Sequence, residues 1–236
     1  MQLTGLRLLA AGVFVCLQGC ATVAHPVASD PWESMNRSVY GFNDAVDRAV
    51  LKPVAAGYRA VTPDWLRKGV GNFFNNLQDV WSAVNNGLQG RGQEMGDSIG
   101  RVVVNSTIGL LGTVDVASSL NIDRHTADFG LTLGRWGMGP GPYVVLPILG
   151  PYTLREVGAL PLDWKADLTQ QLGNSDTVTG AFVLKLVDTR AQYLQAGDVV
   201  EGAALDKYSF TRDAYLQRQR NRQYDGNPPE EDGVEP

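Results

Sequence analysis

From Gly137 to Leu154 no side chain is charged, yet Pro140, Pro142, Pro147 and Pro151 interrupt the run and Gly137, Gly139, Gly141 and Gly150 loosen it. So many prolines exclude one straight transmembrane helix, because each removes a backbone donor and breaks the hydrogen-bond ladder. The segment has to be irregular chain, held either inside protein or against an apolar boundary. Val102 to Val114 also lacks charge, and between Val70 and Gln89 the only ionised residue is Asp79. In that last stretch Val70, Phe73, Phe74, Leu77, Val80, Trp81, Val84 and Leu88 form an apolar stripe at helical spacing. The opposite face is Asn72, Asn75, Asn76, Gln78, Ser82, Asn85 and Asn86, where a solvated helix would carry Lys and Glu.

Taken singly, each ion-poor run reads as protein interior, since apolar runs are more often core than membrane contact. The competing reading is a domain partly immersed in lipid, with helices lying in the membrane plane and an uncharged amide wall beside an apolar one. Irregular backbone at membrane depth is tolerated where it is buried in protein or lines a water-filled cavity. Three such runs, together with the features of the amino terminus, favour immersion.

That terminus has the layout of a cleaved export signal. Arg7 gives a short positive region, and Leu8 to Leu17 is an apolar run too short for a permanent span, which needs ~20 residues. Leu17-Gln18-Gly19-Cys20 places an aliphatic residue, a tolerant position and a small residue before a cysteine, the order required for cleavage and lipid attachment at Cys20. Each buried methylene of an attached chain contributes ~0.8 kcal/mol, so two or more chains anchor stably. Ala21 after the cysteine favours the outer membrane, by resemblance to the bacterial lipoprotein sorting rule. Cys16 leaves with the signal, so the mature domain has no disulfide chemistry.

The expected organisation is a signal peptide at 1–19, a lipidated tether at 20–29, a helical domain at 30–224 and a disordered acidic tail at 225–236. The tether, extended at ~3.5 Å per residue, reaches only about 30 Å, so the domain must sit at or near its membrane. Asp30-Pro31-Trp32-Glu33 reads as a helix start with Asp30 as the cap. Met35, Val39, Phe42, Val46 and Val50 follow at helical spacing, which makes Phe42 a core residue. Thr62-Pro63-Asp64 is a second start. Val183, Leu186, Val187 and Leu194 mark a later helix, and Thr211 to Gln223 a polar last one. Tyr143 to Leu149 has strand-like composition, but Pro147 interrupts it. The fold expected is therefore all-α, with one irregular Pro/Gly-rich segment.

The screen for chemistry is negative. His25 lies in the tether and His125 stands among charges as a surface residue. No metal-ligand spacing, nucleophile elbow or phosphate loop is present. Asp163 and Asp167, four apart, read as decoration of a helix. The net charge of −5 gives no basic footprint for nucleic acid.

In order along the chain, the motifs are Asp30-Pro31-Trp32-Glu33 with Asn36-Arg37, Phe42-Asn43, Asn72-Phe73-Phe74-Asn75-Asn76, Asn105-Ser106-Thr107 and Asp115-Val116-Ala117. Then come Phe129-Gly130, Gly141-Pro142-Tyr143, Leu146-Pro147, Gly150-Pro151, Asp188-Thr189-Arg190-Ala191 and Arg212 to Arg218. This ordered set resembles the MlaA (VacJ) outer-membrane lipoprotein family over nearly the whole mature chain. The resemblance implies a ring-like helical domain embedded in the inner leaflet of the outer membrane around a central amphipathic channel. It implies removal of mislocalised phospholipid from the outer leaflet and transfer to a periplasmic lipid carrier (MlaC-like) for return to the inner membrane. It also implies association with a trimeric porin, no catalysis and no cofactor. Asn72, Asn76 and Asn85, sharing the face away from the Phe73/Leu77/Trp81 stripe, are expected either to form the polar wall of the channel or to serve in capping and tertiary hydrogen bonds. Gly137, Gly141, Tyr143 and Pro147 belong to the expected ridge or gate.

Overall fold

The computed structural model describes residues 27–229. The expected signal peptide, Cys20 with the tether to residue 26, and the acidic end from residue 230 lie outside the described residues.

The domain is mostly helical. Helix α1, Glu33–Val46, passes through a π-helical turn, Asp47–Leu51, into α2, Lys52–Val61. Pro53 accounts for the wide turn, because its ring would strike a carbonyl one turn back in a regular helix and it offers no N–H to the ladder. The long helix α3, Asp64–Leu88, begins where the Thr62-Pro63-Asp64 signal places it. A turn through Gly90, with φ +74°, folds α4, Gly92–Thr107, back along α3.

Helix α5, Val116–Ser119, is capped by Asp115, and α6, Phe129–Arg135, by Asp128. Strands β1, Tyr143–Leu146, and β2, Gly150–Thr153, follow, then α7, Leu154–Ala166, which opens on a capping box of Thr153 and Glu156. A 3-10 turn, Leu168–Gln171, leads to α8, Ser175–Gln192, then α9, Leu194–Ala203, and α10, Lys207–Gln223, capped by Asp206. Helix α8 packs on both α2 and α3, and α6 on α7.

Four expectations are corrected. The expected helical fold holds in its mostly helical character, but the segment read as irregular contains an antiparallel hairpin that adds a two-stranded sheet. Pro147 does not break the strand, because the ladder ends at the pair Leu146–Gly150 and Pro147 stands in the turn. Asp30 does not cap α1; Trp32 holds the cap position without a side-chain bond. Asp30 is instead fully buried, accepting hydrogen bonds from Asn36 and the Tyr208 hydroxyl. Phe42 is half exposed, and the side of α1 that is buried carries Glu33 and Asn36.

Candidate functional site

The interior of this domain is polar and much of its outside is not. Apart from Tyr143, the largest fully buried side chains are Asn36, Asn85, Asn86, Thr132, Thr153, Asp30, Asp79, Ser82 and Ser98. Helix α3 shows the inversion most clearly. It buries Asn76, Asp79, Ser82, Asn85 and Asn86 beside Phe74, while Val84 and Leu88 from the apolar stripe are exposed and the rest of the stripe is half-buried. On α4 the residues Met95, Ile99 and Val103 are exposed one turn apart, and Ser98, Arg101 and Asn105 face inward. After α4, Leu110 and Leu111 stand 70% and 72% exposed with left-handed backbone. Strain of that kind persists only where surrounding structure holds it. Here Gly112, at φ +87°, lies against Asn76, and a Cβ there would fall 2.6 Å from that side chain. Trp65, Trp136 and Trp164 are also more than half exposed. Water-soluble monomers rarely expose apolar surface in contiguous patches of this kind.

Most of the buried polar groups satisfy one another. Asp79 accepts from Arg101 Nε at 3.3 Å and from Arg124 Nε at 2.7 Å. Arg101 also donates to both oxygens of Asp115 at 3.0 Å, to Ser118 Oγ and to the Ile122 carbonyl. Partial burial pushes the Asp115 carboxyl up, but the Ser118 hydroxyl and amide, Arg101 and Asn105 outweigh it and hold the group at about 2. A depressed carboxylate contributes stability above its unfolded value and loses it as pH falls. The contribution of Asp115 is therefore present above its ordinary 3.8 and lost as pH falls toward 2. Thermal unfolding of the wild type followed down this range should show a fall in melting temperature that Asp115→Asn shows less steeply.

The residues expected to form the polar wall and gate are placed as follows. Asn72 is partly exposed and donates to the Thr113 carbonyl at 3.1 Å. Asn76 is buried and donates to Ser106 Oγ at 2.9 Å, while its Oδ1 meets no described partner. Asn85 has no exposure, donates to the Trp81 carbonyl and accepts from Thr132 Oγ1 at 2.7 Å. Gly137 and Gly141 are exposed, with φ of +97° and +67°. Tyr143 is fully buried and Pro147 is exposed at the hairpin tip. Asn43 fixes that tip, donating to the Leu146 carbonyl and accepting from the Ile148 amide.

Two cavities flank the contact between α3 and α8, and none of these seven residues lines either. One is apolar, about 500 Å³, with Trp65, Leu66, Phe73, Leu110, Val114 and Leu184 among its walls. The other is polar, about 330 Å³, and includes Asn75, Gln78, Arg124, Lys185, Arg218 and Arg222. Both fall within the ~300–1,000 Å³ of ordinary ligand pockets. Phe74, itself buried, is a wall of both, and Lys185 Nζ lies 5.9 Å from the centre of its ring. Asn75 and Gln78 belong to the amide face visible in the sequence. The cations come from elements far apart in the chain, and no spacing in the sequence unites them.

Asp163 is not surface decoration. It accepts from Trp81 Nε1 at 2.7 Å and from the Phe129 amide at 2.8 Å, joining α3, α6 and α7. Among the described residues no group of side chains is arranged to hold a metal ion, and no helix is long and apolar enough to cross a membrane.

Comparison with known proteins gives a consistent answer. The family model described as MlaA lipoprotein matches residues 28–222. A protein of Escherichia coli (strain K12) described as an intermembrane phospholipid transport system lipoprotein, MlaA, is 35% identical over 86% of this chain and 82% of its own. The protein of the same description from Haemophilus influenzae is 31% identical over 90% of this chain and 88% of its own. A solved structure concerned with the structural basis for maintenance of bacterial outer membrane lipid asymmetry superposes with a TM-score of 0.69. It shares 32% identity and covers 84% of this chain and all of that one.

Proposed function

Since the chain belongs to the MlaA lipoprotein family, we propose that it removes mislocalised phospholipid from the outer leaflet of the outer membrane and hands it to a periplasmic carrier for return to the inner membrane. The observation that carries this reading is the polar buried side of α3, with Asn76, Asn85, Asn86 and Asp79 inside while Val84 and Leu88 of the apolar stripe face out. Such a helix is unfavourable in water. It is favourable where its apolar side meets acyl chains, at ~25 cal/mol for each Å² removed from water.

In this proposal the domain is a ring lying in the inner leaflet, anchored through lipid on Cys20 and seated beside a trimeric porin. The ring frames a central amphipathic channel. A phospholipid must move its headgroup past hydrocarbon without exposing its chains to water, and a polar passage with apolar surroundings lowers both costs. Asn72, Asn76 and Asn85 set the spacing of the polar wall through their bonds to neighbouring segments. The hairpin with Tyr143 buried at its base and Pro147 at its tip, flanked by Gly137 and Gly141, is the gate. Flow through such a passage has no intrinsic direction; the carrier supplies it.

Deletion of the gene should raise surface-accessible phospholipid, measured by labelling intact cells with an impermeant amine-reactive reagent. Unchanged labelling would leave only a passive scaffold. Immersion has its own test. Ile99→Lys with Val103→Lys changes exposed positions and should leave thermal stability in detergent within roughly 0.5 kcal/mol. Each lysine facing hydrocarbon would cost up to ~3 kcal/mol, so with protein prepared without lipid on Cys20, flotation with liposomes should fail for the double variant. A variant that floats like the wild type would remove α4 from the lipid contact.

A further inference from the structure

The polar cavity has a charge imbalance with a direct chemical reading. Its walls carry four cations, Arg124, Lys185, Arg218 and Arg222, against two carboxylates, Asp128 and Asp188. Several of these are already engaged. Arg124 bonds Asp79, the Asn75 carbonyl and Gln78, and Arg222 bonds Asp128. Asp188 accepts from the Tyr58 hydroxyl and from Gln192. Lys185 is held by Asp167 at a longer 3.3 Å, and exposed Arg218 pairs with no described carboxylate. Two cations therefore have donors to give, at the mouth of a cavity that shares the Phe74 wall with an apolar one.

We propose that the polar cavity seats the phosphodiester of a lipid with net negative charge, with Arg218 and Lys185 as its donors and an acyl chain in the apolar cavity across Phe74. The proposal rests on the phospholipid reading and adds a headgroup preference to it. A zwitterionic headgroup brings its own cation to a site already in cation excess. A headgroup such as glycerol leaves the phosphate charge uncompensated and meets that excess favourably. Phe74, with Lys185 above its ring, stands where the polar and apolar parts of such a lipid would meet.

The test uses the purified full chain in neutral detergent and isothermal titration with short-chain phosphatidylglycerol, short-chain phosphatidylcholine and inorganic phosphate. Phosphatidylglycerol should bind about tenfold more tightly than phosphatidylcholine, the effect of one charge-assisted hydrogen bond. Raising the salt should narrow the gap. Arg218→Gln with Lys185→Gln should weaken phosphatidylglycerol about tenfold more than phosphatidylcholine and so abolish the preference. Leu184→Asn should weaken both lipids equally and keep their ratio. Equal binding of the two lipids by the wild type would overturn the headgroup preference and leave the transport reading standing, as would a preference that survives the double variant. Inorganic phosphate binding as tightly as phosphatidylglycerol would show an anion site unconnected with lipid. Binding of neither lipid would overturn the proposal together with the reading beneath it.

Discussion

Replacing Arg101 with methionine should destabilise the domain by about 3–5 kcal/mol, the range for removing one partner of a buried ion pair. Methionine fills similar space, so the loss is not one of volume. The guanidinium is 3% exposed and joins α4 to four other groups: Asp79, Asp115, Ser118 and the Ile122 carbonyl. Without it, Asp79, 2% exposed, retains only Arg124, and the Ile122 carbonyl loses a 2.6 Å donor. Domains of this size are stable by ~5–15 kcal/mol in total, so a shift of this magnitude should be plain in the urea midpoint measured in detergent. The internal comparison is Asp206→Asn, which breaks the Arg37–Asp206 pair and leaves the Arg37 bond to buried Glu33 in place. Arg37 makes a shorter bond to Asp206, at 2.7 Å, and through it holds that carboxyl well below its usual range. Both partners are well exposed to solvent, however, and such pairs contribute only ~0–1 kcal/mol. If the two substitutions cost the same, burial is not what makes the Arg101 network matter.

That network also shows what could be read from the sequence. Asp79 is conspicuous there as the only ion across a long amide-and-apolar stretch. A lone charge with no neighbours of its kind announces a specific partner, but not which arginine would reach it. Helix starts at Pro63-Asp64 and the long apolar stripe of α3 were equally legible, because both depend on residues close in sequence. The orientation of that helix was not. Periodicity divides a helix into two faces, and which face is buried depends on the surrounding medium. In water the whole stripe would turn inward, as would Phe42 on α1; here Phe74 is buried, but Val84, Leu88 and Phe42 are turned out. The hairpin was missed for a related reason. Pro147 forbids a strand only if the ladder continues through it, and Asn43, more than a hundred residues away, fixes the turn that lets the ladder stop first. The charged cavity was wholly illegible, since its cations gather from the loop before α6 and from helices α8 and α10.

Asn36→Leu puts the inverted interior to a direct test. By the usual rule a leucine, with the same number of side-chain heavy atoms, should be tolerated at a fully buried position and gain apolar burial. Here the opposite is expected, a loss of roughly 3–5 kcal/mol. The Asn36 amide donates to Asp30 Oδ1 at 2.8 Å and to the Tyr143 carbonyl at 3.0 Å, and its oxygen accepts from the Val145 amide at 2.9 Å. One side chain thus fastens α1 to β1 and steadies Asp30, a carboxylate with no exposure that also receives the Tyr208 hydroxyl and lies 3.5 Å from Arg212. Leucine would orphan two backbone groups and one carboxylate oxygen, at ~1–3 kcal/mol for each neutral group. The apolar gain from the added carbons is at most about 1–2 kcal/mol, so the orphaned groups decide the sign. Hydrogen exchange should locate the loss, with the amides of Tyr143 to Leu146 losing protection before those of α3 and α4, since only the hairpin is unfastened. A leucine variant as stable as the wild type, with the hairpin amides still protected, would mean that the polar centre is dispensable and that hydrophobic packing alone holds α1 to the sheet.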